Sequence, residues 1–493
     1  MIKDLNFVQP EQEGLCSEYV LKFIELMEWK KVNLHSFMIV HHGNILAEGY
    51  CKPFDENSVK RLYSASKTIV SLTIGKLVGE NKIKLSDTFA AHFPEYVPKN
   101  ASKWLLECTI EDALKMSVPA KGNTYGEKEY SDWVWTFFNH PTRSVCVKPS
   151  GSVFSYNTAA TFMLCALIER LTGKTFLEYL RPEFDKIGVS KDIWCVQSPD
   201  GYAWGGSGVR ATMRDFAKIG ELLLHKGEYN GEQLLLRAYM EKATSKQISN
   251  IISGHFSDLK TKGYGYQIWI NEKGYSMYGM CGQLACCFPD KDLMFVCNGD
   301  TAGETEDYIY DCVYKVLYEN VRNETLPVNG RAYASLQAKL KSLDFISGLG
   351  EKHSDYEKEI NGKTYYLQQN EMGWKWFRFD FVEETGTLTY ENARGVKQIP
   401  FGCGKLLRGT FPETHYYDKK VFQASNREFD SLFIAEWTEN KKLLLRSYII
   451  DTNFANVFMS FGFKNNEVGC LFRARAEWCL EDYQGVAGGK AKE

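Results

Sequence analysis

Between Lys363 and Phe463 apolar and polar residues exchange places at every second position, and this period of two constrains the chain more than any other feature. Lys363 to Leu367, Trp374 to Phe381, Thr387 to Tyr390, Ser431 to Trp437, Leu443 to Tyr448 and Val457 to Phe463 each present one apolar face, with polar turns between them. Strands of this kind close on themselves as an antiparallel β-barrel or stack as a sandwich. The aromatic residues on the repeating face are core against solvent, and no catalytic set stands among them. Composition shifts near Asn329, so the chain is expected to divide into residues 1–328 and a lipocalin-like β-barrel domain over 329–493, the helical stretch Arg331 to Leu343 handing one to the other.

The first part mixes periods. Cys16 to Glu28 carries apolar residues at helical spacing, and Ser36 to His42 reads as a strand turned at Gly43-Asn44 into Ile45 to Tyr50, a β-hairpin. Residues from about 80 to 210 read as an inserted helical region, including Thr109 to Met116, with a threonine cap, and the buried helix Ala159 to Glu169. Strands return at Tyr264 to Ile270, Tyr275 to Gln283, Leu284 to Pro289 and Leu293 to Asn298, and Asp307 to Glu319 closes the part as a helix. The expected class is α+β, an antiparallel sheet flanked by helices.

Over 493 residues the net charge is −3, which offers no field for nucleic acid or an anionic membrane. No apolar leader opens the chain and no later run is long enough to span a bilayer, so a cytoplasmic protein is expected, with its 14 cysteines reduced. No Cys-x-x-Cys or His-x-x-x-His spacing occurs, and His41 and His42 read as polar residues at a strand end, so neither metal nor cofactor is expected. The Gly488 to Glu493 end is expected to be disordered.

Chemistry enters at Arg61 to Leu77. Helical spacing of Ile69, Leu72 and Leu77 makes Ser64 the opening of a helix and puts Lys67 on the same face one turn in. A desolvated lysine can take a proton from a serine hydroxyl, although from this tetrapeptide alone an N-cap serine with a solvated lysine is the favoured reading. Tyr156 stands before the buried helix, as a core phenol or an acid–base group. Gly205-Gly206-Ser207-Gly208 leads into a helix capped at Thr212 and lacks the spacing of a phosphate cradle, so it reads as structural. Glycines at 279 and 282 mark close approach of backbone or ligand.

Ser64-Ala65-Ser66-Lys67, Tyr156-Asn157-Thr158 and Gly279-Met280-Cys281-Gly282-Gln283, in this order, together with Gly208 to Lys218, resemble the serine β-lactamase and penicillin-binding-protein superfamily over roughly residues 10 to 320. The resemblance is to its class C-like branch, with the family VIII carboxylesterases and nylon-oligomer hydrolases. It implies Ser64 as acylated nucleophile, Lys67 as its proton acceptor, Tyr156 as proton shuttle, and an oxyanion hole from the N–H groups of Ser64 and Met280. Proximity would depress the pKa values of both Lys67 and Tyr156. Tyr63, Asn157, Thr158, Tyr278 and Gly279 would contact substrate.

Two positions depart from the family pattern. Thr158 stands where Tyr-x-Asn has its amide, and Met277-Tyr278-Gly279 replaces the Lys-Thr-Gly that holds a β-lactam carboxylate. A site lined by Met277, Tyr278, Met280 and Tyr63 favours a neutral acyl ester or amide. The expectation is a monomeric or homodimeric serine hydrolase acting on a small-molecule ester or amide. The alternatives are a non-catalytic ligand-binding protein on the same scaffold and a D-amino-acid peptidase.

Overall fold

The structure, a computed structural model, describes residues 6–251, 258–301, 305–345, 348–412, 419–423, 428–451, 453, 455–475, 480 and 483–492. They form two compact units, Met1–Asp344 with Lys419–Gln423, and Phe345–Asp418 with Ala424–Glu493.

The first unit is built on a six-stranded antiparallel sheet of β1 (Leu34–His41), β2 (Asn44–Tyr50), β3 (Trp269–Ile270), β4 (Tyr275–Gly279), β5 (Gln283–Phe288) and β6 (Leu293–Gly299), in the order β2-β1-β6-β5-β4-β3. Strands β1, β5 and β6 are buried along their whole length because both sheet faces are covered. Phe37, Ile39, Leu284, Cys286, Phe295 and Cys297 pack with Val20, Phe23, Ile24 and Met27 of α1 (Ser17–Trp29). On the other face Ala285 and Met294 meet Gly220 of α4 (Met213–Leu224), whose Thr212 cap accepts from Asp215 N–H at 3.1 Å. Helices α2 (Ser66–Gly79) and α3 (Thr158–Thr172) pack on each other, as does α6 (Gly330–Lys341) on α1. The helix expected over Asp307 to Glu319 is α5 (Glu306–Cys312), continued by a π-helical stretch Val313–Tyr318.

Two local expectations change here. The strand expected from Tyr264 shrinks to Trp269–Ile270, because the preceding residues form turns around Gln267, whose backbone is left-handed at φ 62°. Ser64 precedes the α-helix, in the 3-10 turn Tyr63–Ala65.

The second unit is a β-barrel of β7 (Thr364–Leu367), β8 (Trp376–Val382), β9 (Thr385–Asn392), β10 (Gly395–Cys403), β11 (Leu407–Phe411), β12 (Phe429–Glu439), β13 (Lys442–Ile449), β14 (Ala455–Lys464), β15 (Glu467–Arg475) and β16 (Gly485–Ala491). Nine strands run β10-β9-β8-β7-β16-β15-β14-β13-β12 and close by parallel pairing of Gly402 with Ile434 and Cys403 with Ala435, while β11 pairs outside the ring with β12. Trp374, Phe377, Phe379, Tyr390, Phe433, Phe461 and Phe472 are among the side chains that fill its interior. The C-terminal end is ordered through Lys492, and β16 is a barrel strand bonded on both sides. Its glycines carry no side-chain signal, yet Gly489 lies so close to β7 that an added Cβ would meet the Tyr366 carbonyl at 2.5 Å. Among the described residues no helix is long and apolar enough to cross a membrane.

Candidate active site

Ser64 is presented by a turn that the backbone holds under constraint. Tyr63, beside it, has φ 46°, a left-handed conformation that is uncommon for a bulky side chain. Its ring is buried and lies 4.5 Å from the Arg61 guanidinium carbon, so Tyr63 packs behind the turn. Arg61 in turn donates to the Ser207 carbonyl at 2.7 Å and to its hydroxyl at 3.1 Å.

Lys67 follows in the first turn of α2 and is 1 % exposed. Its Nζ donates to Ser64 Oγ at 2.9 Å and to the carbonyl of Gly206. Burial brings its pKa down to about 7, Arg61's charge pushing the same way and Cys165 opposing. An amine titrating near neutrality, hydrogen-bonded to a hydroxyl, is equipped to accept that hydroxyl's proton.

Tyr156 stands over the same pair, its ring centroid 5.0 Å from Lys67 Nζ and its hydroxyl close enough to Ser64 to affect its titration. The pKa of Lys67 falls as expected, but through burial and Arg61 rather than through the nearness of Tyr156, and that of Tyr156 rises instead. Desolvation raises the phenol's pKa, with Tyr125 adding and Ser64 opposing. Tyr156 is therefore a neutral phenol able to donate or relay a proton, whereas the Lys67 amine, titrating near 7, is able to accept one.

The strand side is as tight. A Cβ on Gly279 would lie 2.1 Å from the Leu62 carbonyl and 3.1 Å from Ala65 N, so β4 abuts the turn that carries Ser64 only because residue 279 lacks a side chain. Met280 follows in the turn and is 38 % exposed. That turn is held from inside by Gln283, whose Nε2 donates to the carbonyls of Met280, Cys281 and Gly299 at 3.1, 3.2 and 2.9 Å. Cys281 N–H donates to Glu306 at 3.1 Å. Gly282 lies in this turn, with φ 88°, outside the strand in which it was expected.

Other expected contacts are placed differently. Asn157 is buried as the N-cap of α3, accepting from Ala159 N–H at 2.9 Å and donating to the Gly122 carbonyl at 3.0 Å, so both ends of its amide serve the backbone. Thr158 packs under Gly206, where an added Cβ would meet its Cγ2 at 2.5 Å, and its hydroxyl reaches Tyr125. Met277 is fully buried opposite Ala285. Tyr278 is half-buried, its ring centroid 6.3 Å from that of Trp269. Lys260 Nζ lies 4.2 Å from the centroid of the Tyr278 ring and 3.8 Å from Asp307, so a cation does stand beside Tyr278.

Several residues were not singled out from sequence. Trp269 stacks on Tyr156 at 5.6 Å and meets Tyr264 at 5.0 Å, and Phe154 lies 5.2 Å from Tyr264. Together with Tyr278 they form an aromatic wall beside Ser64's partner phenol. The Gly206 carbonyl escaped because a backbone acceptor has no residue signature. The run of glycines around it was the available signal: side chains at 205 or 208 would strike Val70, Cys165 or the Trp204 carbonyl.

A family model described as Beta-lactamase matches residues 25–311. The chain belongs to the Beta-lactamase family. Over 286 residues it is 23 % identical to 6-aminohexanoate-dimer hydrolase of Paenarthrobacter ureafaciens, covering 53 % of this chain and 71 % of that protein. Two solved structures share the fold. A Bacillus anthracis protein provisionally assigned as a 6-aminohexanoate-dimer hydrolase matches with a TM-score of 0.50 at 23 % identity, over 64 % of this chain and 86 % of that one. A penicillin-binding-protein homologue from Caulobacter crescentus matches with a TM-score of 0.50 at 18 % identity, over 62 % of this chain and 99 % of its own. The serine β-lactamase and penicillin-binding-protein superfamily is thus the one this chain belongs to, as its motifs suggest.

Proposed function

We propose that this chain is a serine hydrolase that cleaves an ester or amide bond of a small molecule through an acyl-enzyme on Ser64. The observation that carries the reading is the 2.9 Å bond between the buried Lys67 amine, titrating near 7, and the Ser64 hydroxyl. Neutral Lys67 takes the Ser64 proton as Oγ attacks the carbonyl carbon, and the developing oxyanion is met by the N–H groups of Ser64 and Met280. Each such donor is worth about 3 kcal/mol in the transition state. The proton passes through the Tyr156 phenol to the leaving nitrogen or oxygen. Water then enters, gives a proton back along the same route and frees the acid. The aromatic wall of Tyr156, Trp269 and Tyr278 suits an acyl chain with little charge near the reacting carbonyl. The 6-aminohexanoate-dimer hydrolase relative supports an amide as the bond cleaved.

Intact-mass labelling with a fluorophosphonate, followed by turnover of p-nitrophenyl esters and of short linear amides, tests this. The expected outcome is one adduct on the wild type and none on Ser64→Ala. Turnover in Ser64→Ala, Lys67→Ala and Tyr156→Phe should fall by about 100-fold or more. A folded protein that takes no label and turns over no substrate would instead be a ligand-binding member of the family.

A further inference from the structure

The β1–β2 hairpin end holds a second group of chemically able side chains that the hydrolase reading does not use. By register, His41 pairs with Leu293 and Leu293 with Phe288, whereas Gly279 pairs with Gln283 at the opposite end of β5. The two places are separated along the strands by about 17 Å. Here Glu13, the last residue of the 3-10 turn Pro10–Glu13, reaches the hairpin from 28 residues away in sequence. Its Oε2 lies 2.9 Å from His42 Nδ1 and 3.8 Å from His41 Nδ1, and the three donor atoms all fall within 4.8 Å of one another.

Adjacent residues in a strand point to opposite faces, so two neighbouring histidines on one side need a cause. The cause is His42's left-handed backbone, φ 48°, which swings its ring over His41 with centroids 3.8 Å apart. Asn44 Nδ2 donates to Glu13 Oε1 at 2.8 Å and leaves Oε2 aimed at the imidazoles. His41 is fully buried, and both its ring nitrogens face main-chain carbonyls: Nδ1 that of Glu13 at 2.8 Å, Nε2 that of Lys291. A neutral imidazole has one proton for the two carbonyls, and Nε2 is left without a well-formed hydrogen bond.

We propose that Glu13, His41 and His42 bind a divalent transition metal, zinc in the first instance, with water at the fourth position. Two imidazoles and a carboxylate are the donor set zinc takes in four-coordinate sites. A metal on His41 Nδ1 displaces the proton to Nε2, where it donates to the Lys291 carbonyl, the outer bond that orients a ligating histidine. His41 gives up its bond to the Glu13 carbonyl, and the partly exposed His42 ring tilts so that its lone pair meets the ion. Lying far from Ser64, the ion acts as a staple between the 3-10 turn and the hairpin.

The experiment is metal uptake by the full chain after treatment with chelator. Zinc is titrated with thermal unfolding as readout, and cobalt is titrated with its visible spectrum as a probe of the ligands. One equivalent of zinc should bind and raise Tm. Cobalt should give d–d bands without the near-ultraviolet thiolate charge transfer that the cysteines would produce. His42→Asn, which keeps a residue tolerant of the left-handed backbone, and Glu13→Gln should each lose that equivalent, and Asn44→Ala should weaken it by about tenfold. No uptake by the wild type, uptake unchanged in either His42→Asn or Glu13→Gln, or a thiolate spectrum would overturn the proposal.

Discussion

At the scale of the residue, Lys67 does two things that pull against each other. Its burial costs stability, because the unfolded chain holds a proton that the folded chain releases above about pH 7. The unfolded state therefore binds more protons between pH 7 and the ordinary lysine value. This residue's contribution makes stability rise with pH through that window. Denaturation midpoints across it should climb less steeply in Lys67→Met than in the wild type. On the proposed mechanism activity has the same sign for a different reason, since only a neutral amine can accept the Ser64 proton. The rate of acylation should rise with pH to a plateau, with an inflection near 7. Arg61→Met, which removes a charge that lowers the Lys67 pKa, should move the inflection upward, and an unmoved inflection in a folded variant would exclude that coupling. The pairing of Ser64 and Lys67 was legible because three residues make nearly one helical turn, even though Ser64 proves to sit in the 3-10 turn ahead of the helix. The neutrality of Tyr156 was not legible, because it depends on aromatic neighbours 100 and more positions away, such as Tyr264 and Trp269.

At the scale of the element, the Tyr63–Ala65 turn and β4 are fitted to one another at backbone distance. Gly279→Ala places a methyl against the Leu62 carbonyl, and either the strand retreats or the turn does. The expected result is a loss of about 1–3 kcal/mol in unfolding free energy. Fluorophosphonate labelling should slow by more than the loss of folded protein explains. Labelling at the wild-type rate would show that this contact does not set the site. The strands of the main sheet were legible from their apolar content, but not which helix covers which face, because β1, β5 and β6 are buried on both sides and show no alternation. Trp269 illustrates the remainder. Its place in a strand was legible, but its stacking on Tyr156, more than 100 positions away, was not.

At the scale of the molecule, the barrel depends on its last strand. Deleting residues 485–491 removes β16 from between β7 and β15 and leaves two open edges on a ring with an aromatic interior. The truncated chain should lose the near-ultraviolet signal of the stacked Trp374 and Tyr390 and should scatter light at concentrations where the full chain is clear. An unchanged spectrum and solubility would show that β16 is dispensable.

What the sequence determined by itself were the local periods and the short-range spacings. Alternation of period two marked the barrel strands, helical spacing placed Lys67 near Ser64, and threonine caps fixed the starts of helices at Thr109 and Thr212. Tertiary structure alone decided the features made by backbone and by distant chain: the Gly206 carbonyl that receives Lys67, the fit of Gly279 to Leu62, the glycine-rich strand that joins β7 to β15, and the meeting of Glu13 with His41 and His42. The physical reason is common to all four. Side-chain patterns report how a segment meets water, whereas a carbonyl, an absent Cβ or a partner far along the chain acquires its role only when folding brings another surface to it.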